Sequence, residues 1–153
     1  MQFRDAMGLA LAQAERAARL GEVPVGAVLL RGDDVVAAAY NGRERLRDPT
    51  AHAEMRVLRR GGRRLGNWRL TGCTLVVTLE PCPMCTAAIA AARVRRVVFG
   101  ARDPLYGAME SRPIPLPDPL PEVIGGIREE EARAMLESLF RSLRGRGGVS
   151  EPG

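Results

Sequence analysis

The chain has 153 residues, which is enough for one domain with its own hydrophobic core. Apolar residues make up 46% of it, as is typical of globular proteins. No apolar run approaches the roughly 20 residues that cross a bilayer, and the charged first 21 residues lack the pattern of a signal peptide. We therefore expect a cytoplasmic protein without a membrane span.

The net charge is +5, and all 23 basic residues are arginine. Codon bias in a genome rich in G and C explains why arginine replaces lysine, but it does not explain the positive balance. A surface that binds phosphate groups would explain it, because the guanidinium fork matches phosphate geometry. Both interpretations stay open and are compatible with each other.

Apolar periodicity and turn residues predict alternating helices and strands. In chain order, the predicted elements are a helix over 3–20, a hairpin with strands over 25–30 and 35–40, a helix from about 51 to 60, a strand over 74–79, a helix over 81–94, a strand over 95–101, a short strand within 122–126 and a helix over 128–144. Gly61 and Gly62 are expected to end the second helix.

The segment 103–121 holds six prolines, so it is predicted to be a loop. The order of the elements indicates a single layered α/β domain over residues 1–144. Residues 145–153, which are rich in glycine, are expected to be a flexible C-terminal tail.

Three cysteines, Cys73, Cys82 and Cys85, argue against a disulfide framework in a cytoplasmic chain. Cys82 and Cys85 form a C-x-x-C pair, which is typical of metal or redox chemistry. No thioredoxin-like pattern surrounds the pair, which disfavours a redox role. Cys73 precedes an apolar run and is expected to be a small buried residue. A structural zinc site would need it as the fourth ligand.

His52, the single histidine, lies in "HAE" (52–54), and the cysteine pair lies in "EPCPMC" (80–85). Each motif falls at the start of a predicted helix, where the partial positive charge lowers the pKa of a thiol. By itself, His52 would fit an ordinary surface histidine. Together, one histidine and two cysteines predict a zinc site, with a fourth position left for water, as in catalytic rather than structural sites.

Glu54 is two residues from His52 and therefore points away from the helical face on which His52 lies, which makes it a poor further ligand. It is instead predicted to move protons between the attacking water, a ring nitrogen and a leaving amine. The 27 residues between Glu54 and Cys82 complete a specific signature, that of the zinc nucleobase deaminases.

With these motifs the sequence resembles the cytidine deaminase superfamily and, within it, the bacterial tRNA-specific adenosine deaminases. "EVPVGAVL" (22–29), "DPTAHAE" (48–54), "NWRL" (67–70), "TLEPCPMC" (78–85) and "RVVFGARD" (96–103) carry the resemblance. It implies a three-layer α/β/α fold with a mixed five-stranded sheet and helices on both faces. It also implies a homodimer and zinc-dependent conversion of adenosine to inosine at the wobble position of a tRNA anticodon.

The resemblance also assigns roles to individual residues. His52, Cys82 and Cys85 would bind one Zn²⁺ per chain, and Glu54 would be catalytic. The residues implied to contact the substrate are Val25, Asn41, Ala53, Leu79, Asp103, Phe140, Arg141 and Arg144. Asn41 also fits a plain turn residue, since Asn-Gly is a turn dipeptide, and Phe140 also fits the core.

The sequence departs from that family after "ARD". The family has a Lys or another small or polar residue before Gly-Ala, whereas this chain reads "PLYGA". The Pro-rich "MESRPIPLPDPLPEV" (109–123) replaces a stretch that ends in Asn-His and contacts the anticodon. The last helix has Leu139 at one of two positions that are aromatic in the family. We expect the prolines of 113–121 to form a stiff rim segment outside the pocket.

Three functions are therefore weighed. The first is a tRNA-editing hydrolase, with Arg43, Arg45 and Arg47 as candidate phosphate contacts, although these arginines also fit a solvated loop. The second is a deaminase of a free base or nucleoside, such as guanine or cytosine. The third is a non-catalytic zinc-binding or RNA-binding subunit, which would give no reason for Glu54 beside the water.

Overall fold

A computed structural model describes the backbone of residues 1–144 and the side chains of residues 1–142. The predicted tail, 145–153, lies outside the described residues. The elements are helices α1 (Phe3–Arg19), α2 (Ala53–Leu65), α3 (Pro83–Ala91) and α4 (Glu129–Arg144), and strands β1 (Gly26–Arg31), β2 (Asp34–Tyr40), β3 (Cys73–Leu79), β4 (Arg96–Ala101) and β5 (Glu122–Ile124).

The five strands form one mixed sheet in the order β2-β1-β3-β4-β5. β1 pairs antiparallel with both β2 and β3, whereas β3, β4 and β5 run parallel to one another. β3 and β4 are connected through α3, and β4 and β5 through the proline-rich segment. The predicted mixed five-stranded sheet is therefore confirmed.

Helices cover both faces of the sheet, as predicted for a three-layer α/β/α domain. α2 and α3 pack on one face around a core that includes Leu29, Val77 and Phe99. α1 and α4 pack on the other face around Val28, Val76 and Val98. Because neighbouring strand residues point to opposite faces, the apolar runs of β1, β3 and β4 supply both cores at once.

The prediction that Gly61 and Gly62 end the second helix was wrong, because α2 continues to Leu65 and ends at Gly66. Gly66 adopts the left-handed conformation (φ 65°) that favours glycine after a helix. Gly61 has a packing role instead, since a Cβ there would overlap the side chain of Leu29. The other predicted boundaries lie within three residues of those observed.

Four strand ends meet at one end of the sheet. Tyr40 pairs with Gly26, Val77 with Ala27, and Leu79 with Ala101. The segment that leads into β1 and the segments that leave β2, β3 and β4 therefore lie together at this end. The polar motifs of the sequence come together at this end of the sheet.

No helix within residues 1–144 combines the length and the apolar character that a membrane span requires.

α1 packs directly on the backbone of β1 at Gly26. A Cβ on Gly26 would overlap the carbonyl oxygen of Ala10 and the backbone nitrogen of Ala14, and would lie 2.7 Å from the Cβ of Gln13. We predict that Gly26→Ala lowers the free energy of unfolding by about 1–3 kcal/mol, as overpacking does. Urea unfolding measures this change.

Gly8→Ala, in the same helix, is the matched control. An added Cβ there would lie 2.8 Å from the tip of the flexible Arg128 side chain, which can move, and alanine favours the helix by about 0.5–1 kcal/mol. Equal loss of stability in both variants would contradict this account of the α1–β1 contact.

Candidate active site

The end of the sheet where the strand ends meet brings together His52, Cys82 and Cys85. Their ligand atoms all lie within 4.8 Å of one another. His52 Nδ1 is 3.7 Å from Cys82 Sγ and 3.5 Å from Cys85 Sγ. A tetrahedral zinc with bonds of about 2.3 Å to sulfur and about 2.0 Å to nitrogen separates these atoms by about 3.5 Å. The three residues could therefore hold one zinc ion with little rearrangement.

The start of each helix departs from the usual capping rule at this point. His52 is the N-cap of α2 and Cys82 is the N-cap of α3, yet neither side chain forms a capping hydrogen bond. Serine, threonine, asparagine and aspartate are preferred there, and their loss costs about 1 kcal/mol. Such a local departure is typical of functional residues, and here it frees both side chains to face each other.

The environment favours a thiolate at Cys82. A hydrogen bond from the Cys85 thiol lowers the pKa of Cys82 to about 4, and the neighbouring His52 contributes to the shift. The pKa of Cys85 is raised, because its thiol donates to Cys82 and is buried. The first turn of α3 holds no acidic residue, so the helix N-terminus adds an uncompensated positive field.

Glu54 lies in the first turn of α2 and is buried, with 4% of its surface exposed. Burial raises the pKa of Glu54 to about 7. A carboxyl group with a pKa near neutral can both accept and return a proton under cellular conditions. The carboxyl group of Glu54 forms a hydrogen bond with the Cys85 thiol, so it lies directly beside the ligand cluster without being one of its three ligand atoms.

A cavity of about 560 Å³ opens over these residues. Its size is within the range of pockets that bind small ligands. Of the predicted site residues, the lining includes His52, Glu54, Cys82, Val25, Asn41, Ala53, Leu79, Asp103 and Phe140. None of the described residues 113–121 lines it, in agreement with the expectation for the proline-rich segment.

Asn41 forms turn contacts and also lines the cavity. Its Oδ1 accepts a hydrogen bond from the backbone of Arg43 at 3.2 Å, which is a turn contact. Its Nδ2 donates to the carbonyl oxygen of Val23 at 3.3 Å. An asparagine amide has two protons and two lone pairs, so Asn41 keeps one donor and one acceptor for a ligand in the cavity.

α4 forms one wall of the cavity because Ala132 and Met135 pack it on the apolar core of the sheet, and salt bridges at Arg102 lie beside this contact. Arg102 forms salt bridges with Glu129 at 3.2 Å and with Glu110 at 3.1 Å. Leu136 and Phe140, one helical turn apart, then line the cavity together. Phe140 is thus a partly exposed wall residue rather than part of either buried core.

Two predicted contacts lie elsewhere. Arg141 is exposed on α4 and does not line the cavity. Arg144 is the last residue of α4, and its side chain is outside the described residues.

Sequence reasoning missed several residues of the site. The cavity lining also includes Val23, Glu80, Arg102, Pro104, Leu105, Tyr106 and Leu136. Leu136 was detectable as the residue four before Phe140, on the same helix face. The exposed Leu105 and Tyr106 lie in a loop, where no periodic pattern indicates which way a side chain points.

The comparisons with known proteins agree with this geometry. The family model for the cytidine and deoxycytidylate deaminase zinc-binding region matches residues 2–101. The tRNA-specific adenosine deaminase of Bacillus subtilis is 45% identical over 139 residues, which cover 88% of this chain and 86% of that protein. The corresponding enzyme of Agrobacterium fabrum is also 45% identical, over 90% of this chain and 93% of that protein.

A solved structure of a tRNA:A34 deaminase, studied for A-to-I editing at the wobble position of transfer RNA, superposes with a TM-score of 0.83. It is 46% identical in sequence, and the match covers 86% of this chain and 99% of that one. The chain therefore belongs to the cytidine and deoxycytidylate deaminase family and, within it, to the tRNA-specific adenosine deaminases.

Proposed function

We propose that this protein is a zinc-dependent hydrolase that converts adenosine to inosine at the wobble position of a tRNA anticodon. The observation that carries the proposal is the placement of Glu54, His52 and Cys82 in the wall of one nucleoside-sized cavity, with the buried Cys85 completing the ligand cluster behind that wall. The similarity to enzymes of this name, over most of both chains, supports adenosine in tRNA as the substrate. A tRNA substrate also favours a cytoplasmic location.

His52, Cys82 and Cys85 would hold the zinc ion. When bound, zinc supplies Lewis acidity that lowers the pKa of a water molecule to about 7. One histidine and two cysteines leave the fourth tetrahedral position to solvent, which a catalytic site requires. The third function weighed above, a non-catalytic binding subunit, is disfavoured because a purely structural site would not need a buried carboxyl group beside it.

Glu54 would carry the protons of the reaction. It takes a proton from the water that attacks C6 of the adenine ring and delivers it to ring nitrogen N1. It then moves a second proton from the added hydroxyl group to the amino group, which leaves as ammonia. The balance is adenosine and water to inosine and ammonia, with Glu54 returned to its starting state.

The remaining wall residues would orient and enclose the base. Asn41 offers one free donor and one free acceptor to the nucleoside, and Val25 and Leu79 present apolar surface to its ring. The Ala53 backbone lies at the start of α2 beside the ligand cluster. Asp103 lies at the mouth, where the sugar of an extruded nucleotide would pass.

The positively charged arginines would bind the phosphate groups of the RNA backbone. Arg43 lines the cavity, and Arg45, Arg47 and Arg141 are exposed on the surface around it or at the end of α4. Arginines in such positions match the phosphates of a loop from which one base has been extruded.

We also propose a homodimer. Met55, Leu58, Trp68, Ala88 and Ala91 line a shallow apolar hollow on the outer side of α2 and α3, here termed the α2–α3 face. Trp68 is 56% exposed in the single chain, and its ring is continuous with the other apolar residues of this hollow, which favours cover by a partner. Both helices begin at the ligand cluster, so a second chain on this face would lie next to the cavity.

The first prediction from the proposed function concerns metal content. Purified protein is expected to contain about one zinc per chain, and Cys82→Ala is expected to lose most of it, because two ligands bind a tetrahedral ion far more weakly than three. Plasma emission spectrometry measures this. Cys73→Ala is the matched control, since Cys73 is fully buried in β3 and should not affect zinc. Undiminished zinc in Cys82→Ala would contradict the assignment of Cys82 as a zinc ligand.

The second prediction concerns Glu54. Glu54→Gln keeps the size of the side chain but cannot move protons, so it is expected to keep zinc and fold while kcat falls by at least about 10²–10⁴-fold. Circular dichroism and metal analysis serve as controls. Loss of zinc with the activity would mean that Glu54 is a ligand.

The third prediction tests the proposed substrate. Incubation with an anticodon stem-loop that has adenosine at the wobble position is expected to produce inosine, which reverse transcription reads as guanosine. The same stem-loop with guanosine at that position is the control. Absence of inosine together with rapid ammonia release from free guanine or cytosine would support the free-base alternative instead.

The fourth prediction concerns assembly. Light scattering at micromolar concentration is expected to give twice the mass of one chain, and Trp68→Glu is expected to shift it toward the mass of a single chain. Leu9→Glu is the control, because Leu9 is a comparably exposed residue (41%) on α1, on the opposite face of the sheet. A monomeric wild type would contradict the dimer.

A further inference from the structure

Glu80 is a buried carboxylate with no role in the proposed reaction. It follows β3 and is 2% exposed. Its Oε2 accepts hydrogen bonds from the backbone of Met109 (3.2 Å), Glu110 (2.8 Å) and Ser111 (2.8 Å), and its Oε1 accepts them from the backbone of Asp103 (3.1 Å) and the hydroxyl of Ser111 (2.6 Å). A buried charge needs such donors, and five of them fix both ends of one loop.

The loop between these anchors carries two exposed apolar side chains at the mouth of the cavity. Leu105 is 68% exposed and Tyr106 is 48% exposed, and both line the cavity. We term residues 104–106 the lip. Asp103 Oδ1 accepts the backbone N–H groups of Leu105 and Tyr106, each at 3.1 Å, so the backbone of the lip is held as well.

Gly107 shows how closely Glu80 and the loop are fitted. A Cβ on Gly107 would overlap the carboxyl group of Glu80. The backbone of the loop therefore passes directly over the carboxylate, and any displacement of Glu80 moves the lip with it.

Glu22 anchors the loop on the opposite rim of the cavity, in the same way as Glu80 anchors the lip. It is fully buried, and its carboxylate accepts the backbone N–H groups of Glu44 (2.8 Å) and Arg45 (3.1 Å). These bonds hold the loop that contains Asn41 and Arg43. The two rims thus have separate anchors.

We propose that Glu80 is a positioning residue that holds Leu105 and Tyr106 as a stacking surface for the base next to the target nucleotide. This inference rests on the proposed function, because it takes the substrate to be an RNA loop with one base extruded. Unpaired bases of such loops stack on aromatic side chains, and any of the four bases can do so. An exposed tyrosine beside the mouth, on a backbone held from both ends, provides such a surface.

A double-mutant cycle tests the link between Glu80 and the lip. Glu80→Gln turns one acceptor oxygen into an amide that faces N–H groups, and Tyr106→Ala removes the ring. Each change is expected to raise KM for the stem-loop about tenfold, with kcat within about twofold and zinc content unchanged. The double variant is expected to be no worse than Glu80→Gln alone, since the ring has no effect once it is misplaced.

Glu22→Gln is the matched control, because it releases the opposite rim. Combined with Tyr106→Ala, its effect on KM is expected to multiply with that of the tyrosine. Multiplication of the Glu80 and Tyr106 effects would overturn the inference. So would a folded Glu80→Gln variant whose KM is unchanged or whose zinc is lost.

Ser111→Ala removes one donor to Glu80 while leaving the carboxylate in place, and it carries the same test if Glu80→Gln does not fold. Its KM is expected to rise about two- to threefold, again without adding to Tyr106→Ala. Additive effects in this pair would also overturn the inference. Hydrogen exchange at the amides of 109–111 should be faster in either variant, and unchanged exchange would contradict the anchoring. Wild-type protein that makes no inosine would instead contradict the proposed function.

Discussion

Two helix N-termini that meet at one end of the sheet are the constraint on which the rest of this site depends. β1 pairs with both β2 and β3, so the segments that leave these two strands start α2 and α3 side by side. His52 and Cys82, as the two N-caps, are thereby brought within a bond length or two of a common point. Since the cavity walls come from the same strand ends, the depth of the pocket relative to the ligand cluster is set by the sheet.

Two of the buried carboxyl groups near this point serve different purposes, and their surroundings distinguish them. Burial would raise the pKa of Glu80, but the hydrogen bonds from Ser111, Glu110 and Asp103 lower it overall, so the group stays ionised and holds a loop. Burial raises the pKa of Glu54 to about 7. Environments that push the pKa values of neighbouring carboxyl groups apart separate a structural anion from a proton carrier.

The chemistry of the site was predictable from sequence to a greater extent than its shape. The spacing of His52, Glu54 and the cysteine pair identified the cluster, because ligand identity is a local property. The length of α2 was not predictable, since the role of Gly61 depends on Leu29 of another element. The lip and its anchor were missed for the same reason: Glu80 finds its partners 23–31 residues further along the chain.

X-ray absorption at the zinc edge of the purified protein tests the central claim most directly, namely that one histidine and two cysteines of each chain bind the ion and leave one position open. The account predicts two sulfur neighbours at about 2.3 Å, one imidazole nitrogen at about 2.0 Å and one further light atom. A third sulfur at the same distance, from Cys73 or from another chain, would mean a closed structural site and would contradict the account.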